Sequence, residues 1–161
     1  MRNYSGGFTY FGILITIALL GTSLSAVGVS WSVEKRRAAE QQLIHTGQTF
    51  RRAIASYYNA TPQGAHQYPR RLADLLEDRR GTILLRHMRE IYPDPLTRRT
   101  DWNLEKLPDG SIIGISSRSA DKPLKQANFD AWEAAFENSS CFCDWKFVYL
   151  PQLAGGATVT P

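Results

Sequence analysis

The sequence predicts an α+β chain, in which one long N-terminal α-helix, its first half apolar and its second half amphipathic, packs on a small antiparallel β-sheet. Three observations carry that expectation. Residues 8–33 form an uncharged run that ends abruptly at Glu34, Lys35, Arg36 and Arg37. Beyond it, Leu43, Gly47, Phe50, Ile54 and Tyr57 or Tyr58 recur at separations of three, four and seven, the spacing of one helical face. In the C-terminal third, two strand-like stretches flank the turn Pro108-Asp109-Gly110, and a later one alternates aromatic and other residues. With 161 residues in all, roughly 100 to 130 are available for one domain with a modest core beyond the apolar run.

The run 8–33 is long enough to cross a bilayer, which takes about 20 mostly apolar residues rising about 1.5 Å each. Gly12, Gly21 and Gly28, with several Thr and Ser, interrupt its Ile, Leu and Val residues. Small residues let helices approach one another in lipid. The composition therefore fits both a single-pass anchor and a helix built to pack against copies of itself. No Pro occurs from residue 1 to 61, so nothing forces a stop at the membrane surface. A continuous helix is expected over 8–59, with Glu40, Gln48, Arg51 and Arg52 falling away from its apolar stripe.

Thr61-Pro62-Gln63-Gly64 breaks the helix and opens a loop. Leu72, Leu75 and Leu76 read as a helical pattern with Asp74 and Glu77 outside it, and Ile83, Leu84, Leu85 and Met88 as a second apolar patch closed by Pro93 and Pro95. Residues 101–107 and 111–117 are expected to pair as a hairpin about the Pro-Asp-Gly turn. Residues 128–137 look helical, with Asp130 and Glu133 at capping-box spacing. The stretch 144–150 is expected to be a strand that lays Trp145, Phe147 and Tyr149 on the long helix, and 155–161 a frayed tail.

The start of the apolar run adds a motif. A short polar leader, residues 1–7, holds Arg2 and ends in Gly6-Gly7, ahead of the apolar segment and not after it as in a secretory signal. Gly7, Phe8 and Thr9 at the mouth of such a helix resemble the class III leader of type IV pilins and type II secretion pseudopilins. The order Tyr68-Pro69, Leu72-x-x-Leu75, Tyr92-Pro93-Asp94-Pro95 is similar to the segment between helix and sheet in the major pseudopilins. The resemblance implies a pilin-like fold and cleavage by a prepilin peptidase between Gly7 and Phe8, with methylation of the new N-terminus. It implies a single pass through the bacterial inner membrane with the C-terminal domain in the periplasm. Its partners would be other pilin-like subunits, met through the N-terminal helix, and the inner-membrane platform of a type II secretion or type IV pilus-like machine. The segments would be a leader at 1–7, a membrane half at 8–33, an amphipathic half at 34–60, a connecting region at 61–100, the sheet with an inserted helix at 101–154, and a tail at 155–161. The family places Glu at the fifth residue of the mature helix; here that residue is Gly12. A buried carboxylate needs a partner, so its absence points to a minor, initiating or tip subunit. The alternative is an uncleaved bitopic membrane protein whose periplasmic domain binds a partner or ligand.

Charge and side-chain chemistry narrow the classes. The chain holds 19 Lys plus Arg against 15 Asp plus Glu, but its Arg residues alternate with acids and read as a solvated face, with no nucleic-acid signature. Lys35, Arg36 and Arg37 outweigh Arg2 across the apolar run, which by the positive-inside rule puts the domain in the cytoplasm; the leader motif points the other way, and the leader is followed here. The loop 116–121 is similar in position to the family's Ca²⁺ loop, with Asp121 as its candidate ligand and Asp130 as a second carboxylate within reach in sequence, alongside Lys122 and Lys125, whereas Ca²⁺ takes about six to eight oxygens. No metal or cofactor is expected. Cys141 and Cys143, the only cysteines, read first as a strained local disulfide or two thiols under the aromatic cluster, with a redox-active pair as the minority reading, and two sulfurs without a nearby His are too few for zinc. His45, His66 and His87 share no ligand spacing, and no Ser, His and Asp stand in a recognisable frame. The expectation is a structural protein, not an enzyme.

Overall fold

A computed structural model describes the backbone of residues 6–61 and 66–151; the side chains of 6–9 and 20–30 lie outside that description, as do leader residues 1–5, loop residues 62–65 and the tail. Helix α1 runs Gly6–Asn59 without interruption, ending where the approach to Pro62 predicts. The chain divides into two compact units, Met1–Ala38 and Ala39–Pro161. The second holds the core. The α+β class holds there: the end of α1 is covered by a three-stranded antiparallel meander in the order β1-β2-β3, with β1 at Asn103–Lys106, β2 at Ile112–Ser116 and β3 at Phe147–Val148.

The stripe read from spacing is the buried face of α1. Leu43, Phe50 and Ile54 are fully buried, Tyr57 nearly so, and Tyr58 is half-buried. Each large apolar side chain removed from water stabilises by about 2 kcal/mol. They face Ile112 and Ile115 of β2, Phe147 of β3, and an aromatic wall of Phe136, Phe142 and Trp145. Phe136 and Trp145 stack at 5.4 Å, and Phe136 meets Phe147 edge-on at 5.0 Å. Gly47 lies in the middle of the stripe because a Cβ there would overlap the ring of Phe147. The aromatic face of the last strand thus lies on the helix, as its alternation predicts.

The hairpin also forms as read. Asn103 pairs with Ser116 and Leu104 with Ile115, with an irregularity between Glu105 and Lys106. Gly110 closes the turn at φ 83°, a conformation glycine adopts without strain, and Asp109 accepts the Ser111 amide and hydroxyl at 2.9 and 2.6 Å.

Four local expectations are corrected. Residues 128–137 form only a 3-10 turn, Ala131–Phe136; Asp130 makes no side-chain cap bond, the Glu133 amide donating to the Asp130 carbonyl at 2.9 Å, and the Glu133 side chain turns inward to Arg51 instead of back to Asp130. The strand expected over 144–150 pairs only at Phe147–Val148, with one further bond from the Tyr149 amide to the Ile113 carbonyl; Phe142–Asp144 is a 3-10 turn that consumes its start. The Leu72 pattern is a single turn, Leu72–Leu75, pinned by Asp74 accepting the Arg71 and Arg70 amides at 2.9 and 3.2 Å. The patch at Ile83, Leu84 and Leu85 is exposed, Ile83 by 74%, and only Met88 enters the core; the bridge Asp78↔Leu85 holds the loop between them outward.

Gly47→Ala is expected to lower stability by about 2 kcal/mol through overpacking, read as a drop in the thermal midpoint of the detergent-solubilised chain. Gly47→Ala combined with Phe147→Leu should lose less than the sum of the two changes. An unchanged midpoint in Gly47→Ala would mean that helix and sheet do not depend on this contact.

Candidate functional site

The sequence places its processing and assembly candidates, Gly7, Phe8, Gly12, Gly21 and Gly28, on the part of α1 in the first unit, and its other candidates, Asp121, Cys141 and Cys143, in the second. In the first unit Tyr10, Phe11, Ile13, Leu14, Ile15, Ile17 and Leu19 are exposed, as are Trp31 and Val33. Gly12 has open space where a side chain would stand, and its carbonyl accepts the Thr16 hydroxyl at 2.8 Å, which satisfies that hydroxyl inside an apolar stretch. Gly7, Phe8, Gly21 and Gly28 lie on the backbone of α1, and their surroundings are outside the described residues. Among the described residues no helix is long and apolar enough to cross a membrane; residues 20–30, in the middle of the expected span, have no described side chains.

In the second unit, polar side chains that were expected away from the stripe are buried on α1. Glu40, 3% exposed, accepts the backbone amides of Leu124 and Lys125. Arg51, 8% exposed, donates to Glu133 at 2.8 Å, and Gln48 donates to the same oxygen at 3.3 Å. The Arg51 guanidinium also lies 5.6 Å from the Trp132 ring and 5.8 Å from that of Phe147. Each buried charge thus has a partner, which burial demands. Glu40 continues the stripe three residues before Leu43, and that spacing is the signal that could have placed it inside. Arg51 carries the same signal, four residues after Gly47 and three before Ile54, but nothing in the sequence names its partner, which is 82 residues away.

A third group closes the C-terminus of α1, which has no basic residue in its last turn. Arg80 supplies the missing cation: it donates to the Tyr57 carbonyl at 2.6 Å and the Thr61 hydroxyl at 2.7 Å, and lies 3.5 Å over the Tyr57 ring. A cation at this end satisfies free carbonyls and opposes the helix dipole. Asp78 holds Arg80 through both carboxylate oxygens, at 2.9 and 2.7 Å. These side-chain hydrogen bonds keep the Asp78 carboxyl well below the usual carboxylate range; burial opposes the shift, and the Arg80 amide and His87 add to it. Nearby, burial pushes the Tyr68 phenol up to about 12, with Tyr58 and Tyr149 adding, so it stays protonated and donates to the Tyr149 carbonyl at 3.1 Å.

No family model, curated protein or solved structure matches the chain. Its chemistry is therefore read from its own geometry. The structure does bring a Ser, a His and an Asp together, which the sequence did not disclose: His87 lies 2.8 Å from the Ser56 hydroxyl through Nδ1 and 3.2 Å from Asp78 through Nε2. Because Asp78 is ionised, Nε2 carries the proton that faces it. The carboxylate is already committed to Arg80, and neither of two surface clefts, of about 760 and about 350 Å³, is lined by Ser56 or His87. The arrangement anchors the segment 78–88 to α1.

The remaining candidates are placed as follows. Asp121 is exposed, and the Ser119 hydroxyl accepts its amide at 3.3 Å; among the described residues, the cluster of potential metal ligands consists of Cys141, Cys143 and Asp144 and does not include it. Cys141 and Cys143 are joined as a disulfide with their Cα atoms 5.2 Å apart, a separation that the 3-10 turn permits and an extended strand would not favour.

Asp78 ties acid stability to this anchor. Its folded value lies below the unfolded value of about 4, so its stabilisation is present above that pH and is lost as the pH falls through the folded value. Asp78→Asn is expected to cost about 2 kcal/mol at neutral pH, less than a fully buried pair because Arg80 is partly exposed, and to flatten the fall in stability below about pH 4. Urea unfolding at several pH values checks this; an acid limb of unchanged slope would remove Asp78 from the account.

Proposed function

We propose that the chain is a pilin-like structural subunit, processed by a prepilin peptidase between Gly7 and Phe8 and assembled through α1 into a short periplasmic filament of a type II secretion or type IV pilus-like machine. One observation carries the reading: the Gly7-Phe8-Thr9 junction opens a helix of 54 residues whose C-terminal part, from Glu40 onward, lies under a small antiparallel meander. A leader motif alone is short. Joined to this helix and sheet, it supports an architecture in which one element enters the membrane and later the filament while the other faces the periplasm. The exposed apolar side chains from Tyr10 to Leu19 suit lipid first and neighbouring helices after assembly. The bridge between Cys141 and Cys143 suits an oxidising compartment.

Gly12 supports a minor, initiating or tip position for the subunit. A Glu there would be an ionised group in the bilayer, stabilised only by a partner such as a neighbour's amino terminus. A tip subunit has no neighbour above it to supply or require that pairing, and Gly12 fits such a position.

Intact-mass and N-terminal analysis of the protein from its own membrane tests the processing. A mature chain beginning at Phe8, with or without a methyl group, is expected. A chain that retains residues 1–7 would favour an uncleaved bitopic protein with a periplasmic binding domain. The open space at residue 12 allows a second test: Gly12→Glu is expected to increase incorporation into sheared filaments severalfold, and unchanged or reduced incorporation would overturn the assignment to a minor position.

A further inference from the structure

Among the described residues, Arg51 Nε and Trp145 Nε1 are enclosed side-chain donors without an acceptor. Trp145 lies inside the core, whereas Arg51, 8% exposed, lines a surface cleft of about 350 Å³. An enclosed donor left unpaired opposes folding and calls for an account. Arg51 Nη1 donates to Glu133 at 2.8 Å, and Nη2, like Nε, makes no hydrogen bond among the described residues. Nε and Nη2 form one edge of the planar guanidinium, a fork of N–H groups that receives oxygen acceptors. The guanidinium lies over the rings of Trp132 and Phe147, at 5.6 and 5.8 Å. Rings and carboxylate fix the group while that edge stays unspent.

The lining of the cleft limits what that edge can receive. Its charges cancel, Arg51 and Arg52 against Asp130 and Glu133. Glu133 is spent on Arg51 and Gln48, and Arg52 and Asp130 are exposed to solvent. Donors remain beside flat apolar surface: the Arg51 edge, the indole N–H of Trp132, and the rings of Trp132, 46% exposed, and Tyr149, half-buried. We propose that this cleft binds an extended, proline-rich segment of a partner protein. Each proline brings a carbonyl and no N–H, and the polyproline II helix has no internal hydrogen bonds, so its carbonyls are free. Acceptors thus meet donors, and pyrrolidine rings meet the Trp132 face, in a segment whose φ angles are already fixed. A carboxylate also fits an Arg fork, but it would join Asp130 and Glu133 as a third negative charge against two cations. The inference uses only the second unit and stands independently of the assembly reading.

The test titrates the full chain in detergent with acetylated decaproline amide, against an acetylated Gly-Ser peptide of the same length. A saturable change in tryptophan emission is expected with the first and none with the second, and Trp132→Phe should abolish it. The Arg51 Nε–H resonance, assigned by its loss in Arg51→Lys, should move downfield as it gains an acceptor. Arg51→Lys keeps a cation beside Glu133 and loses the fork, and is expected to bind roughly tenfold more weakly, about the worth of one hydrogen bond. No saturable response, an equal response to the Gly-Ser peptide, an unmoved Arg51 resonance, or tighter binding of an acetylated peptide in which glutamate replaces proline would each overturn the proposal.

Discussion

The distance between α1 and the sheet is set where the ring of Phe147 lies on Gly47. Any side chain at residue 47 would push β3 away, and β3 carries β2 with it through the pairs Gly114↔Val148 and Ile115↔Phe147. Ile112 and Ile115 would then lose Leu43, Phe50 and Ile54 across the core. Behind the Phe147 ring, Phe136 and Trp145 stack nearly parallel, at 7°, so the wall has little freedom to follow a displaced strand. Close packing transmits such a change. The smallest residue on the helix face thereby fixes the position of the largest side chains around it.

Apolar packing alone does not choose how α1 is rotated beneath the sheet. A stripe of Leu, Phe and Ile tolerates a small turn about the helix axis, because dispersion and burial are weakly directional. The buried polar contacts are directional. Glu40 reaches two consecutive amides at Leu124 and Lys125, Arg51 reaches Glu133, and the Tyr57 carbonyl receives Arg80. A rotation would leave each of these groups buried without a partner, and an unpaired buried charge is far more costly than a shifted methyl. Burial of the stripe supplies the stability of the helix–sheet contact, and the polar contacts select its register.

Features with a local physical signal were legible in the sequence. The helix from its apolar mouth to Asn59, the stripe, the Pro-Asp-Gly hairpin and the aromatic face of the last strand all follow from spacing and turn chemistry within a few residues. What was not legible depends on distant partners. Arg51 and Glu133 each read as surface residues until the fold brings them to 2.8 Å, and the inward turn of Glu133 is also what removed the expected capping box. Ser56, His87 and Asp78 are separated by 31 and 9 positions, and no motif joins them. The 3-10 turns failed for another reason: Asp74 and Asp144 accept amides of the residues just before them, a competition between side chain and backbone that periodicity does not record. Along the outer stretch of α1 the sequence gives the apolar character and the structure adds exposure from Tyr10 to Leu19; the motif at Gly7 and Phe8 comes from sequence alone.

Exposure along that stretch has an energetic consequence. Side chains such as Phe11, Ile13, Leu14, Ile15, Ile17 and Leu19 each gain about 1.5 to 3 kcal/mol on leaving water, so together they represent on the order of 10 kcal/mol that the isolated chain forgoes. Lipid can supply it, and so can a layer of neighbouring helices. Transfer from one to the other is then nearly neutral in hydrophobic terms, because lipid tails are as apolar as Leu, and the balance passes to close packing and to polar pairs. Gly12 offers close approach and no polar pair; Thr16 spends its hydroxyl within its own helix. On the assembly proposed above, such a subunit would enter a filament on shape alone, without the pairing that would make its entry strongly favoured, which would be the thermodynamic character of a component used once at an end and not repeated along the length.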